Sequence, residues 1–175
     1  MRRAMSALLA LALLMIPLLV SIAVSAQGAY YVVFDMADPE GDDNGPGTYV
    51  YPTNEVFKPG VFDLTRFRVL VNETHVIFET YVRELGDNPW GGPNGFCLQY
   101  VHIYVRTTAD IAARNDTIGL NVTIAPDYAW HFALLLAPGW GDTPVPQGER
   151  AAIYMSNGTV IAQDDDFKVY TRTED

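Results

Sequence analysis

FRVLVNETHVIFETYV, residues 67–82, decides the fold class. Two runs rich in β-branched and aromatic residues, Phe67 to Val71 and Thr74 to Val82, flank Asn72-Glu73. On the second arm Val76, Phe78 and Val82 share one face, and Glu79, Tyr81 and Arg83 share the other. A period of two marks a half-exposed strand, and two such runs about a short polar turn mark an antiparallel hairpin.

Outward from this hairpin the same grammar recurs. Tyr30 to Phe34 reads as a first strand, followed by a long loop from Asp35 to Pro59 with a short strand expected at Tyr49-Val50-Tyr51. Gly86 to Gly95 is a turn-rich loop. Phe96 to Val105 is apolar on both faces, as a central strand is. Ile118, Leu120, Val122 and Ile124 alternate with Gly119, Asn121 and Thr123, and Tyr128 to Leu136 is a second central candidate. Ala151 to Met155 and Thr159 to Ala162 flank Ser156-Asn157-Gly158, where Asn-Gly signals a tight hairpin. Phe167 to Tyr170 is the last expected strand. Nine or ten short strands with turns between them, and no amphipathic helix, favour an antiparallel β-sandwich.

The N-terminus speaks to destination. Arg2 and Arg3 precede an uncharged run of 22 residues, Met5 to Ala26, which ends in Val24-Ser25-Ala26. A basic start, an apolar run and a small-residue end form the pattern of a secretory signal peptide, so cleavage is expected after Ala26. The alternative is an uncleaved anchor, since roughly 20 apolar residues span a bilayer. Residues 27–175 then form one domain, exported to the exterior or the cell surface. The whole chain carries a net charge of −10. Without its first 26 residues it holds 9 basic and 21 acidic residues, a charge of −12. That charge argues against nucleic acid or anionic lipid as a partner and favours cations. The single cysteine, Cys97, excludes an internal disulfide and reads as a small buried thiol.

Within DPEGDDNGPG (38–47) the chain places Asp38, Glu40, Asp42, Asp43 and Asn44 close together, next to Asp35. Oxygen ligands crowded on a glycine-bent loop suit a hard cation such as calcium; a solvated acidic turn is the other reading. Asp164-Asp165-Asp166 reads as a solvated turn. His75, His102 and His131 lack the spacing of metal ligands. Trp90 and Trp140 lie in Gly/Pro loops and, with Tyr49 and Tyr51, offer flat faces for a sugar ring; Trp130, mid-strand, reads as core. Glycosylation sequons stand at Asn72, Asn115, Asn121 and Asn157. No phosphate loop, nucleophile elbow or dinucleotide fingerprint is present.

Four segments together carry a resemblance: DPEGDDNGPGTYVYPTN (38–54), VFKPGVFDLTRFRV (56–69), NPWGGPNGFCLQYVHIYV (88–105) and AWHFALLLAPGWG (129–141). Over about residues 30–155 the chain resembles the C-terminal domain of glucodextranase, a DOMON-like β-sandwich of jelly-roll type related to family 9 carbohydrate-binding modules. The resemblance implies a non-catalytic sandwich attached to cell-surface or carbohydrate-active proteins, with calcium at Asp38, Asp42 and Asp43. The expected function is a secreted module that binds polysaccharide or a cell-envelope component. The alternative is a self-assembling extracellular subunit, a homo-oligomer of the archaeal filament or tubule kind. Family domains run on past the last hairpin, whereas this chain stops at Asp175, which would leave an unpaired edge open to a donated strand. A DOMON-type haem module is disfavoured, because no Met/His pair stands out.

Overall fold

The computed structural model describes residues 28–45, 48, 50–108, 110–141, 144 and 149–173. The expected signal peptide and Tyr49 lie outside the described residues. Seven strands form: β1 (Tyr31–Ala37), β2 (Leu64–Val71), β3 (Val76–Val82), β4 (Val101–Val105), β5 (Phe132–Leu136), β6 (Ala152–Met155) and β7 (Val160–Gln163). They make two antiparallel sheets, β1-β2-β3 and β4-β5-β6-β7, with strands neighbouring one another in chain order. The chain is an all-β sandwich without an α-helix among the described residues.

The β2–β3 hairpin sits where its alternation puts it. Phe67 pairs with Thr80 and Val69 with Phe78, so the apolar positions share one face, while Arg68 opposite Glu79 shares the other. The turn is wider than Asn72-Glu73. Asn72 donates its N–H to His75 O at 3.0 Å, and its side-chain Oδ1 accepts from the N–H groups of Thr74 and His75 at 2.9 and 2.7 Å. Those bonds take Thr74 and His75 into the turn, and β3 starts at Val76. The β6–β7 hairpin also forms, closed by Ser156-Asn157-Gly158 with Gly158 at φ +89°. A glycine in the left-handed region at the end of a three-residue loop is the bulged form of this turn.

Among the described residues three expected strands are absent, and two are shorter than expected. Residues 118–124 alternate in sequence but fold as a compact loop. The Thr117 hydroxyl lies within donating distance of both Leu120 O (2.8 Å) and Val122 O (2.7 Å), sharing its one hydrogen between them, and Gly119 turns at φ +70°. Ile118 and Ile124 face the core from this loop, while Leu120 and Val122 are exposed. Val50 and Tyr51 are not in a strand, and neither is Phe167 to Tyr170. Of Phe96 to Val105 only the last half is strand, and Tyr128 to Leu136 begins in a short 3-10 turn, Pro126–Tyr128. Tyr128 and Ala129 bond back to Ala125 O and Pro126 O in that turn, Trp130 pairs only with Arg114, and His131 N–H donates to Val105 O at the start of the ladder.

Two clusters hold the molecule. The first joins Ala133, Leu135, Ala152 and Tyr154 of the four-stranded sheet to Ile118 and Trp130, with Tyr104 and Ile124 at its margin. Trp130 is fully buried (0% exposed), donates Nε1–H to Asp116 O at 3.1 Å, and packs on Tyr104 with centroids 5.2 Å apart. The second cluster is Val61, Cys97 and Leu98, flanked by Val56, Phe57 and Trp140. Cys97 is the small buried thiol that its lone occurrence suggested.

Candidate functional site

Above the second cluster, side chains from two segments form a row of aromatic rings. The segment VFKPGVF (56–62) turns back on itself through Pro59-Gly60, with Gly60 at φ +91°, and so brings Phe57 and Phe62 side by side. Their near-parallel rings lie 5.8 Å apart. Tyr51 continues the row at 5.9 Å from Phe62, again near-parallel, and Trp90 ends it edge-on to Phe57 at 5.9 Å. Near-parallel rings at such spacing are slipped sideways, which leaves part of each face uncovered. Tyr51 (39%), Phe62 (36%) and Trp90 (54%) are exposed, whereas Phe57 is half-buried and shared with the core beneath. Val50, Tyr51, Pro52 and Phe62 line a shallow depression of about 270 Å³ at one end.

Trp90 stands on a pinned loop. Asn88, at φ +48°, donates Nδ2–H to Gly92 O at 3.0 Å and accepts from Gly92 N at 2.8 Å. Further on, Asn94 donates its N–H to Pro138 O (2.9 Å) and its Nδ2–H to Ala137 O (2.8 Å), tying the loop to the segment before Trp140. Lys58 bridges to Asp87 at 2.5 Å and links the loop to the Phe57 turn.

The acidic loop borders this row and is fastened to it twice. Gly41 donates its N–H to Asp63 Oδ2 at 2.7 Å, and Gly45 donates to the Tyr51 hydroxyl at 2.9 Å. Asp38 and Asp43 are half-buried, while Glu40, Asp42 and Asn44 are exposed. Asp35 is not with them. It lies on β1, where Arg66 grips it with both nitrogens (2.7 and 2.5 Å) and holds its carboxyl below the ordinary 3.8. That two-pronged ion pair engages both carboxylate oxygens of Asp35 away from the loop. Among the described residues no three acidic, histidine or cysteine side chains converge as a ready metal cluster.

Trp140 is placed differently from Trp90. It is half-buried and packs against Val61, Cys97 and Leu98, the same cluster that Phe57 flanks. Of the sequons, Asn121 and Asn157 are exposed, Asn72 is half-buried at the β2–β3 turn, and Asn115 is half-buried between two bridged residues, Arg114 and Asp116. Asp164 pairs with Arg150 and Asp165 with Lys168, so two of the three acids in that run have basic partners. Phe57, Phe62 and Asp63 were missed at the sequence level. The available signal was the Pro-Gly turn between two phenylalanines five residues apart.

A family model described as the C-terminal binding module, SLH-like, of glucodextranase matches residues 33–175. The chain belongs to that family. The match covers the three-stranded sheet except for the first two residues of β1, with the aromatic row, the acidic loop and the four-stranded sheet, and it runs past residue 155, where the resemblance read from sequence ended. No curated protein and no solved structure matches the chain. The glucodextranase-type module is by its description a binding unit rather than the catalytic part of that enzyme.

Proposed function

We propose that the chain is an exported, non-catalytic module that binds polysaccharide or a cell-envelope glycan along the row Tyr51–Phe62–Phe57–Trp90. The observation that carries this reading is the row itself: four rings in sequence, three of them exposed, on loops held by hydrogen bonds. Burying such rings inside the fold would be favourable, at about 25 cal/mol per Å² of apolar surface. Rings held at the surface in a fixed arrangement are instead available to a ligand, and they lose little entropy when one stacks on them. The family description supports binding, and the apolar surface beside hydrogen-bonding hydroxyl and backbone groups suits a sugar's mixed faces. Retention of the purified chain on insoluble polysaccharides and on isolated cell envelope tests it. Trp90→Ala and Tyr51→Ala should each release the protein, with melting midpoints close to wild type. Retention unchanged in both variants would overturn the reading. Intact-mass analysis of protein from its native host tests export: the mass should begin at Gln27.

A specific observation also favours the second reading, self-assembly. β1 is a seven-residue edge strand with no buried residue, and it exposes Tyr31, Val32, Val33, Phe34 and Met36. No strand pairs with its outer edge among the described residues. Such an edge is a template for a strand from a second copy. Elution of the chain as a concentration-dependent series of larger species supports this reading, and a monomer at all concentrations removes it.

A further inference from the structure

One face of the three-stranded sheet is apolar across all of its strands. The registers place Phe34, Val69 and Phe78 opposite one another, with Met36, Phe67 and Thr80 in the next row. Residues directly opposite share a face. The rings agree: Phe67 lies 5.8 Å from Phe34 and 6.5 Å from Phe78. Val71 and Val76, also paired, carry the patch toward the β2–β3 turn. The register of β1 shifts between Val32 and Phe34, and this bulge turns Phe34 onto the face that Tyr31 occupies opposite Val71. None of these side chains is charged. The other face of the sheet is tied by ion pairs: Asp35 with Arg66, Arg68 with Glu79 at 3.5 Å, and Arg172 with Glu79 at 2.9 Å. Among the described residues nothing buries the apolar face. No residue of β1, β2 or β3 is buried, and neither buried cluster draws on this sheet. A sheet with one apolar face is stable when a second layer covers it.

We propose that the second layer is another copy of this chain, the two three-stranded sheets packing face to face as a two-fold dimer. Area favours it. Tyr31 (69%), Phe34 (45%), Met36 (52%) and Val76 (55%) are open to solvent. One aromatic side chain alone carries about 150–250 Å², so the patch leaves roughly 500 Å² uncovered on each copy. Joining two such patches removes about 1,000 Å² from water, the size at which an interface becomes specific. Charge favours it as well. At a net charge of −10 most surfaces of two copies repel, and an uncharged face is where they can meet. A foreign partner is selected by complementary charges at the contact, and this face has none with which to select one. Stacked sheets lie about 10 Å apart with their strands within about 30° of each other. A two-fold rotation brings a copy of the same twisted sheet into that arrangement. A face that meets itself closes at two copies. Strand addition at the β1 edge is a separate contact, and the dimer does not depend on what the aromatic row binds.

Sedimentation velocity over a dilution series, on protein purified from its native host, tests the dimer. Wild type should show one reversible monomer–dimer equilibrium. Tyr31 belongs to both the β1 edge and the face, so the test uses β3 instead. Val76→Lys sets a charge on the face, two strands away from the β1 edge. The two-fold axis repeats that charge in the interface, so the dissociation constant should rise about tenfold or more. Circular dichroism of the variant should match wild type, because the position is exposed. Should Val76→Lys fail to fold, Thr80→Lys takes its place on the same face of β3. The proposal is overturned if wild type is a monomer at every concentration, or if the folded variant dimerises as wild type does. An open-ended series of larger species with no limiting dimer also overturns it, and leaves pairing at the β1 edge as the route of assembly.

Discussion

Two tryptophans of the same chemistry stand in opposite environments, and a single truncation tells them apart. Trp130 is sealed under Tyr104, with Arg114 5.7 Å from its ring, and its indole N–H is bonded to Asp116 O. Trp130→Ala should cost about 3–5 kcal/mol in denaturant unfolding, the range for large core truncations. Trp90 touches Phe57 edge-on and is otherwise open, so Trp90→Ala should stay within about 1 kcal/mol of wild type. His102 gives a second residue-level expectation. Burial holds its imidazole below the ordinary 6.5, beside the Tyr104 hydroxyl at 3.2 Å. The unfolded chain therefore binds a proton where the folded chain does not. Stability is complete above about pH 6.5 and is lost as pH falls below that, until the folded pKa is reached. Melting midpoints should drop as pH falls through about 6.5, and His102→Gln should flatten that slope.

Hydrogen-bonded turns, more than strands, set the geometry around the aromatic row. A Cβ built on Gly92 would sit 1.9 Å from Phe96 O, and one on Gly139 would sit 2.9 Å from Asn94. Gly92→Ala should therefore cost about 3 kcal/mol by chemical denaturation. It should also lower polysaccharide retention without removing an aromatic ring, since the Asn88–Gly92 bonds that aim Trp90 would break. The elements legible in the sequence were those in which one local rule spoke alone. The alternation of residues 67–82 and the Asn157-Gly158 turn needed no distant partner. Residues 118–124 misled because Ile118, Leu120, Val122 and Ile124 alternate as a strand does, yet Thr117 and Gly119 fold them into a loop. Trp90 and Trp140 share a Gly/Pro setting, yet only Trp90 is exposed, so that setting did not separate the two. Phe57, Phe62 and Asp63 were not readable, because their neighbours Tyr51, Trp90 and Gly41 come from other stretches of chain and only folding brings them together.

At the scale of the whole molecule, the charge of −10 keeps copies apart while β1 invites them together. Added salt shortens the reach of that repulsion, to about 8 Å at physiological ionic strength. Self-association through the β1 edge should therefore rise with salt, as light scattering can follow. Tyr31→Lys, at an exposed edge position, should suppress it at a cost within about 0.5 kcal/mol. The even spacing of the aromatic row has a further outcome. Its three intervals are 5.9, 5.8 and 5.9 Å, so the row is nearly periodic. A repeating polymer presents the same face at every repeat, so a row that slips along it by one repeat finds an equivalent seat. Long polymers thus gain degeneracy that short oligomers lack, worth about 1.4 kcal/mol for each tenfold rise in equivalent seats. If the row binds a glycan as proposed, long polymers should therefore retain the protein more firmly than short oligomers cut from them.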